Sequence, residues 1–185
     1  NQGTFTHNNG TVQIGDGSTA VGSGTHTKVD TFYNLTVNMS ASSVDAILRP
    51  NSGSTVTVAN DLTVTQGEVY RNNVSDTLTV TGDVDIAANG TLGRTNDTGA
   101  TNFGSLTIAS GGTFIATSGT TTITGTMDFD GTFTHNGGTV KLANTSEKTH
   151  SVANGTTFAN LQKTTAETCT FATNSQLVIT DSLTI

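Results

Sequence analysis

The segment GTFTHNNGTVQI at residues 3–14 recurs as GTFTHNGGTVKL at residues 131–142, which is 128 positions later. Two further matches follow in the same order: THTKVDTFYNLTV (25–37) with THSVANGTTFANLQ (149–162), and PNSGSTVTVANDLTV (50–64) with TNSQLVITDSLTI (173–185). Self-similarity at a long, fixed interval is the signature of a repeat protein. We therefore interpret residues 1–185 as a single repeat array, with copy 1 at about 3–130 and a partial copy 2 at about 131–185.

The second copy stops in the middle of its unit. Ile185 corresponds to about Val64 of copy 1, so the chain holds about one and a half units. A last turn without a cap exposes open strand edges. We expect the 185 residues to be a segment of a longer chain, with further repeats or other copies of itself as partners.

Short fragments within the unit alternate apolar and polar residues, namely DLTVT (61–65), TLTVTGDVDI (77–86), SLTIASGGTFIA (105–116) and TTTITGTMDF (120–129). A period of two places the apolar residues on one face of a strand. Turn signals separate the fragments: Asn9-Gly10, Asp16-Gly17, Gly82-Asp83, Asn89-Gly90, Gly111-Gly112, Asp130-Gly131 and Gly137-Gly138. The pattern predicts many strands of about three to six residues joined by turns.

Two architectures accommodate such strands, a β-sandwich and a parallel β-solenoid in which each turn stacks on the last. The chain has no Trp and only 5% aromatic residues, whereas sandwiches commonly build their core on large aromatics. Threonine makes up about a fifth of the residues, and its branched side chain favours strands. We predict an all-β parallel β-solenoid (β-helix) of short stacked strands with almost no helix, and a β-sandwich as the alternative. At about 20–25 residues per turn, the chain would form about eight turns and a rod of about 40 Å.

Charge and composition narrow the classes of function. The net charge is -7 at pH 7, and the seven Lys and Arg residues form no patch that could neutralise a phosphate backbone, so we expect no nucleic-acid partner. No apolar run approaches the ~20 residues that cross a bilayer, so we expect no membrane span in this segment. The single cysteine, Cys169, excludes an internal disulfide framework; we predict a small core residue, with an intermolecular bridge or a reactive thiol as alternatives.

The phrases GTFTHNNGTV (3–12) and TFYNLTV (31–37) resemble the degenerate β-helical repeats of very large secreted or surface proteins of bacteria, which are adhesin-like, and of the fibre proteins of some phages. The resemblance covers most of the chain and is specific for the type of repeat. It implies an extracellular or virion-surface shaft, and it implies no catalytic residue.

Enzymes that act on polysaccharides also use parallel β-helices, and they need two or three converging carboxylates. The 14 acidic residues of this chain are scattered, mostly at turn positions, and no basic residue recurs beside them. No GxSxG or comparable nucleophile setting is present. We predict that the chain is not an enzyme and has no catalytic residue and no cofactor.

All four histidines belong to the repeat, because His7 matches His135 and His26 matches His150. No cysteine or carboxylate recurs beside either position in both copies, as a metal site would require. We predict polar turn or rim residues that complete hydrogen bonds, and a histidine pair that binds a metal is the alternative.

Two pairs of aspartates, Asp83 with Asp85 and Asp128 with Asp130, lie close to a glycine and are candidate calcium ligands. A calcium site needs six to eight oxygen ligands, and these pairs supply few. Alternation places both aspartates of a pair on the same outward face, as in a solvated strand. We predict no metal site.

Threonine pairs and glycosylation sequons are frequent. Thr-x-Thr occurs at Thr55 and Thr57, Thr63 and Thr65, Thr77 and Thr79, and Thr120, Thr122 and Thr124. Flat arrays of threonine can order water and bind ice, but the irregular spacing here predicts an ordinary exposed β surface. Asn-x-Ser/Thr sequons occur at Asn9, Asn34, Asn38, Asn73, Asn89, Asn96, Asn144 and Asn154, and they matter only where surface proteins are glycosylated.

The function expected from these observations is mechanical. We expect a structural shaft of an extracellular fibrous or filament-forming surface protein, secreted or held at the cell surface as an adhesin-like stalk. The first alternative is the shaft of a phage or virus tail fibre, at a virion surface. The second is a β-solenoid module that binds glycan or ice.

Overall fold

The computed structural model describes residues 5–18, 25–51, 53–173 and 175–185. In this part of the chain all helix and strand assignments are strand, and no helix could cross a membrane. The strands are β1 (Thr11–Ile14), β2 (Thr25–His26), β3 (Thr31–Phe32), β4 (Asn34–Asn38), β5 (Asp45–Leu48), β6 (Thr55–Val58), β7 (Leu62–Arg71), β8 (Thr77–Leu92), β9 (Thr101–Ile108), β10 (Thr113–Ile115), β11 (Thr120–Ile123), β12 (Met127–Phe129), β13 (Thr132–Thr134), β14 (Thr139–Leu142), β15 (Lys148–Val152), β16 (Thr156–Lys163), β17 (Cys169–Phe171) and β18 (Leu177–Thr184). Every recorded strand pair is parallel, so the predicted all-β parallel solenoid is confirmed and the sandwich alternative is wrong.

The strands stack into three faces, which the chain visits in turn. Face 1 contains β1, β4, the start of β7, the middle of β8, the end of β9, β12, β15 and β17. Face 2 contains β2, β5, the end of β7, the end of β8, β10, β13, the start of β16 and the start of β18. Face 3 contains β3, β6, the start of β8, the start of β9, β11, β14, the end of β16 and the end of β18.

Apolar side chains point inward in columns that run along the solenoid. On face 1, register pairing stacks Leu35, Leu62, Val84, Leu106 and Met127, and a second column stacks Val37, Val64, Ile86, Ile108, Phe129 and Val152. All of these side chains are buried. Because side chains alternate along a strand, the residues between the two columns point outward. Each strand of face 1 therefore contributes two inward side chains, one to each column, with an outward residue between them.

The turns differ in length, and there are about 7 of them rather than eight. The paired residues Leu35 and Leu62 are 27 positions apart, whereas Leu62 and Val84 are 22 positions apart. The longer turn contains the loop at 39–44 and the loop residues 49–51, 53 and 54. Loops at the corners lie outside the stacked strands, so they can vary in length without changing the register of the columns.

Several predicted turns are corners inside a continuous strand. Gly82-Asp83 and Asn89-Gly90 both lie within β8, which runs from face 3 through face 1 to face 2. The Gly82 amide donates to the carbonyl of Asn60 on the previous turn, so the hydrogen bonds between turns continue around the corner. The turn signals located the bends correctly, but the backbone keeps its pairing through them.

Gly67 shows why a corner of β7 needs glycine. The residue has a φ of +105° beside the register shift between Val64 and Gln66, where the chain passes from face 1 to face 2. A Cβ atom at this position would lie 2.5 Å from Cγ of Met39 on the previous turn. Both the positive φ and the close approach exclude a side chain.

The strand pairs of copy 1 recur in copy 2 on a different face. Leu35 pairs with Leu62 on face 1, and the matching Leu161 pairs with Leu183 on face 3. Five full turns lead from β1 to β12 on face 1, and two further faces lead to β14, which is the counterpart of β1. The unit therefore spans five and two-thirds turns, and successive units are rotated by a third of a turn.

Removing an inward side chain should destabilise the whole stack. Leu62 is fully buried in a face 1 column, so we expect Leu62→Ala to lower the free energy of unfolding by about 2–5 kcal/mol, measured by urea denaturation. The control is Thr63→Ala on the same strand, whose side chain points outward and whose loss should change stability by no more than about 0.5 kcal/mol. Equal effects of the two substitutions would contradict the assignment of faces.

Candidate functional site

His7 and His135 occupy the same turn in the two copies. Nδ1 of His7 accepts a hydrogen bond from the Asn9 amide at 3.1 Å, and Nδ1 of His135 accepts one from the Gly137 amide at 2.9 Å. In each case the ring closes a short turn next to a residue of positive φ. This agrees with the predicted role as a polar turn residue. The side chain of His26 lies outside the described part of the structure.

His150 takes a different place, inside the solenoid. Its side chain is fully buried, and its Nδ1 accepts a hydrogen bond of 3.0 Å from the amide of Met127 on the previous turn. The ring lies 5.5 Å from that of Phe171 on the next turn. His150 therefore occupies an inward column position of face 1, between Met127 and Phe171, and the expectation of a rim residue is wrong for it. Val152 lies two positions after His150 and points inward, so the alternation along the strand could have predicted that His150 points inward too.

The environment of His150 disfavours its charged form. Burial, together with the positive charges of Lys163 and Lys148, lowers the pKa of His150 from 6.5 to about 4. A neutral ring that accepts at Nδ1 carries its proton on Nε2, and Nε2 has no hydrogen-bond partner among the described residues. Protonation of Nδ1 would break the bond to Met127, and the ring is neutral in the folded chain above about pH 4.

This burial predicts a loss of stability on mild acidification. Between pH 6.5 and about 4 the unfolded chain binds a proton at His150 and the folded chain does not, because the folded pKa is the lower one. The contribution of neutral His150 to the free energy of unfolding is therefore complete above pH 6.5, and it falls as the pH drops towards 4. We expect wild-type protein to lose more stability between pH 7 and pH 5 than His150→Gln, as measured by urea denaturation at both values.

The control for this experiment is His135→Gln, which removes a histidine from a surface turn and leaves His150 in place. Because His150 is still present in this variant, it should lose more stability between pH 7 and pH 5 than His150→Gln does. A His150→Gln variant with the full wild-type pH dependence would show that His150 does not titrate in this way.

The aspartates of the calcium hypothesis lie on the outside of face 1. Asp83 and Asp85 are both exposed, and the Asp83 amide donates to Oδ1 of Asp61 on the previous turn at 2.9 Å. Partial burial and the neighbouring charges of Asp83 and Asp61 raise the pKa of Asp85, and a hydrogen bond with Thr107 opposes the rise. Asp128 and Asp130 are likewise exposed, and Asp128 follows Asp85 and Thr107 in register. The carboxylates thus form a loose outward row along the face.

Threonines line up on face 3 despite their irregular spacing in the sequence. Thr55 and Thr57 lie in register with Thr77 and Thr79 on the next turn. One complete outward column of this face contains Thr31, Thr57, Thr79, Asn102, Thr122, Lys141, Gln162 and Thr184. These two pairs are in register although the threonines are irregularly spaced in the sequence, because the corner loops absorb the differences in length. The same column also carries Asn102, Lys141 and Gln162, so face 3 is not a continuous threonine array.

The sequons differ in accessibility. Asn9, Asn73, Asn89, Asn96 and Asn154 are exposed, and Asn34 and Asn38 are half-buried. Asn144 is fully buried, and its Nδ2 donates to the carbonyls of Ser146 at 2.7 Å and Thr168 at 3.3 Å. An enzyme that glycosylates the folded chain could not reach Asn144, whereas the five exposed positions present their amides at the surface.

A buried ion pair that the sequence reasoning missed crosses one corner of the solenoid. Nη2 of Arg71 lies 2.9 Å from Oδ2 of Asp97, and both side chains are almost fully buried. Nη1 of Arg71 donates to the carbonyls of Asp76, Gly99 and Ala100 and to the hydroxyl of Thr101. Arg71 therefore holds the loops 72–76 and 93–100 together. Arg71 lies two positions after the inward Val69, so the alternation along the strand could have predicted that its side chain points inward.

Arg94 completes this corner network from the surface side. Its Nε donates to Oδ1 of Asp97 at 3.1 Å, and its guanidinium lies 4.8 Å from the ring centroid of Tyr70. The Tyr70 hydroxyl in turn donates to Asp45 on the previous turn at 3.0 Å. Asp97 thus accepts from two arginines, which compensates the cost of burying its charge. All hydrogen-bonding groups named here already have partners within the corner, so we interpret the network as a structural one that stabilises the corner.

Breaking this network from the acidic side should be costly. Asp97→Asn leaves the buried Arg71 without its counter-charge, and we expect the free energy of unfolding to fall by about 3–5 kcal/mol. Urea denaturation measures the change. The control is Asp128→Asn on the exposed side of face 1, for which the expected change is no more than about 0.5 kcal/mol. A small effect of Asp97→Asn would mean that the corner does not depend on the pair.

A cavity of about 660 Å³ opens at the C-terminal end of the solenoid. It is lined mainly by apolar side chains, including Phe171, Leu177, Ile179 and Leu183, with Cys169 and Lys163 at its side. Burial raises the pKa of the Cys169 thiol, and the charge of Lys163 partly opposes the rise. Cys169 is only partly buried, so it lies at the wall of this end cavity rather than in the core.

The described residues contain no group of three or more His, Cys, Asp or Glu side chains placed to hold a metal ion. Comparison of the chain with protein-family models, with curated proteins and with solved structures found no match. The features that the structure does present are the inward columns, the polar sides and the apolar end. These are the basis on which a function can be proposed.

Proposed function

We propose that the chain is a structural shaft of an extracellular fibrous protein, an adhesin-like stalk that is secreted or held at a cell surface. The observation that supports this is the continuity of the inward columns, such as Leu35 to Met127, which run through successive turns without interruption. In a stack of this kind, each turn pairs in register with the previous one, so the same cross-section repeats along the solenoid. Its length can grow by duplication, because each turn contacts mainly its neighbours.

The sides of the solenoid suit such a role. Only 11% of the residues are charged, and the outward positions of faces 1 and 3 carry mostly Thr, Asn, Asp and Gln. Among the described residues, large exposed apolar side chains lie at Phe5, Val74, Val178, Leu183 and Ile185. The sides thus offer a hydrated surface of hydroxyl and amide groups.

The test is electron cryo-microscopy of the native assembly, labelled with an antibody raised against this chain. We expect label along fibres with an axial repeat of about 4.8 Å, the spacing of stacked strands. Fibres that leave a cell surface support the stalk, and fibres that leave a virion support a phage or virus tail fibre instead. Label on discrete particles without a fibre would refute the shaft.

A second candidate, a module that binds ice or glycan, is favoured by the aligned threonines of face 3. Thr57 and Thr79 are neighbours in one outward column, and Thr55 and Thr77 are neighbours in the next. Paired hydroxyls and methyls at the strand spacing form a regular surface. The array is interrupted on the following turn, where Asn102 replaces threonine in register with Thr79.

Ice-recrystallisation and glycan-array assays test this candidate. If face 3 binds ice or glycan, Thr79→Tyr should reduce the activity to background because the bulky ring breaks the flat array. The matched control is Thr63→Tyr on the outside of face 1, which should keep the activity. Wild-type protein that is inactive in both assays removes this candidate and leaves the shaft.

A further inference from the structure

Four Asn-Gly dipeptides occur in the chain, and their asparagines are Asn9, Asn89, Asn136 and Asn154. When glycine follows asparagine, the glycine nitrogen can attack the side-chain amide of the asparagine, because glycine has no side chain to hinder the approach. The attack releases ammonia and leaves a succinimide ring, which water opens to aspartate or isoaspartate. The contacts of each glycine nitrogen therefore decide which of the four sites reacts.

Three of the four glycines are held by backbone partners. Gly10 donates its amide to the carbonyl of His7 at 2.8 Å, and Gly155 donates to the carbonyl of Gln176 at 2.8 Å. Gly90 lies in the paired part of β8, against the previous turn. A peptide carbonyl cannot take up the proton that the reaction removes from the glycine nitrogen, so these three sites contain no base.

Gly137 differs because its amide donates to an imidazole. Nδ1 of His135 accepts this hydrogen bond at 2.9 Å, so a base already contacts the hydrogen that has to leave. The site is also accessible, since Gly137 is exposed and no heavy atom lies within 4 Å of the position that a Cβ atom would take on it. Asn136 therefore has a base, an unhindered nucleophile and open space beside it.

The dipeptide forms the centre of a surface turn. The carbonyl of His135 accepts from the amide of Gly138 at 3.0 Å, and the φ values of 49° at Asn136 and 78° at Gly137 are those of a type I′ turn. The peptide between Asn136 and Gly137 has to rotate out of this conformation before the succinimide can close. This is a local opening of one exposed turn, which a folded chain undergoes without global unfolding.

Copy 1 has the same histidine but a different residue at the attacking nitrogen. Nδ1 of His7 accepts from the amide of Asn9, and the amide of Gly10 closes the turn. The counterpart of Gly137 is therefore Asn9, whose side chain hinders an attack on Asn8. The repeat thus supplies an internal comparison, in which one histidine lies beside Asn-Asn and the other beside Asn-Gly.

The side chain of Asn136 attaches a loop that lies two turns earlier in the chain. Its Nδ2 donates to the carbonyl of Thr95, in the corner loop 93–100, which we call the strap. The strap also bonds to the turn in between, because the carbonyl of Asp97 accepts from the amide of Ser118 at 2.8 Å. The strap therefore joins three successive turns at this corner, and Asn136 attaches it to the third.

We propose that Asn136 is a self-modifying site, at which deamidation assisted by His135 forms aspartate or isoaspartate and releases the strap. Nδ1 of His135 takes the proton from the Gly137 nitrogen as this nitrogen bonds to Cγ of Asn136. The proton passes to Nδ2, which leaves as ammonia, and water then opens the succinimide. The new carboxylate has no hydrogen to donate to the carbonyl of Thr95, so the attachment is lost. This reaction does not depend on the proposed function.

The first experiment follows all Asn-Gly sites in one sample. The folded chain is kept at neutral pH for weeks, and peptide mapping by mass spectrometry measures the conversion at each asparagine over time. We expect Asn136 to convert about tenfold or more faster than the other three Asn-Gly sites, and Asn8 to stay intact. In urea this advantage should disappear, because the contact with His135 is lost. Equal rates in the folded chain, or the same advantage in urea, would overturn the proposal.

The variant His135→Asn tests the role of the imidazole. An asparagine side chain at this position can accept the same amide hydrogen bond two residues further on, so it keeps the turn, but it cannot take up the proton. We expect the conversion of Asn136 to slow by about tenfold in this variant. The matched control, His7→Asn, makes the same change in copy 1 and should leave the rate at Asn136 unchanged. A wild-type rate in His135→Asn would show that His135 does not act as the base.

The variant Asn136→Asp tests the consequence for the strap without waiting for the reaction. Hydrogen exchange of the Ser118 amide reports on the strap, because its acceptor is the carbonyl of Asp97. We expect this exchange to rise about fivefold or more in Asn136→Asp and in the aged wild-type chain. The matched control is Asn154→Asp, since Oδ1 of Asn154 accepts from the amide of Gln176 and a carboxylate can do the same. Unchanged exchange in Asn136→Asp, or an equal rise in both variants, would overturn the release of the strap.

Discussion

Parallel hydrogen bonds between successive turns keep apolar side chains in register, and the remaining structure depends on this register. Leu62 lies between Leu35 and Val84, and its neighbour Val64 lies between Val37 and Ile86. A slip of one residue would turn both columns outward, because side chains alternate along a strand. The register therefore has to survive corner loops of different lengths. It does so because the loops lie outside the stacked strands and because the hydrogen bonds continue through corners such as Gly82.

The columns accept polar residues where neighbouring turns supply partners. Arg71 enters the interior at an inward position and is neutralised by Asp97 and several backbone carbonyls. His150 replaces an apolar residue and remains neutral, since burial and two nearby lysines lower its pKa and the Met127 amide donates to its ring. Each case binds a residue to an adjacent turn. The buried polar side chains of Arg71 and His150 thus add contacts between adjacent turns.

The repeat unit does not contain a whole number of turns, and this determines which residues lie on each face of the solenoid. A unit of five and two-thirds turns places equivalent residues on successive faces, so Gln13 lies outside face 1 and its counterpart Lys141 lies outside face 3. Three units would return a feature to its original face. An array of three such units would therefore present the same groups on all three faces.

The amino-acid sequence by itself determined the strands, their alternation and the long repeat, because each of these is a local pattern of residue types. It also predicted the turn histidines His7 and His135, since the residues around them recur. The tertiary structure alone decided which residues meet across turns of 19 to 27 residues, and so it aligned Thr57 with Thr79, placed His150 inside and joined Arg71 to Asp97. The physical reason is that loop lengths set which residues become neighbours, and loop length has no signature in the alternation of the strands.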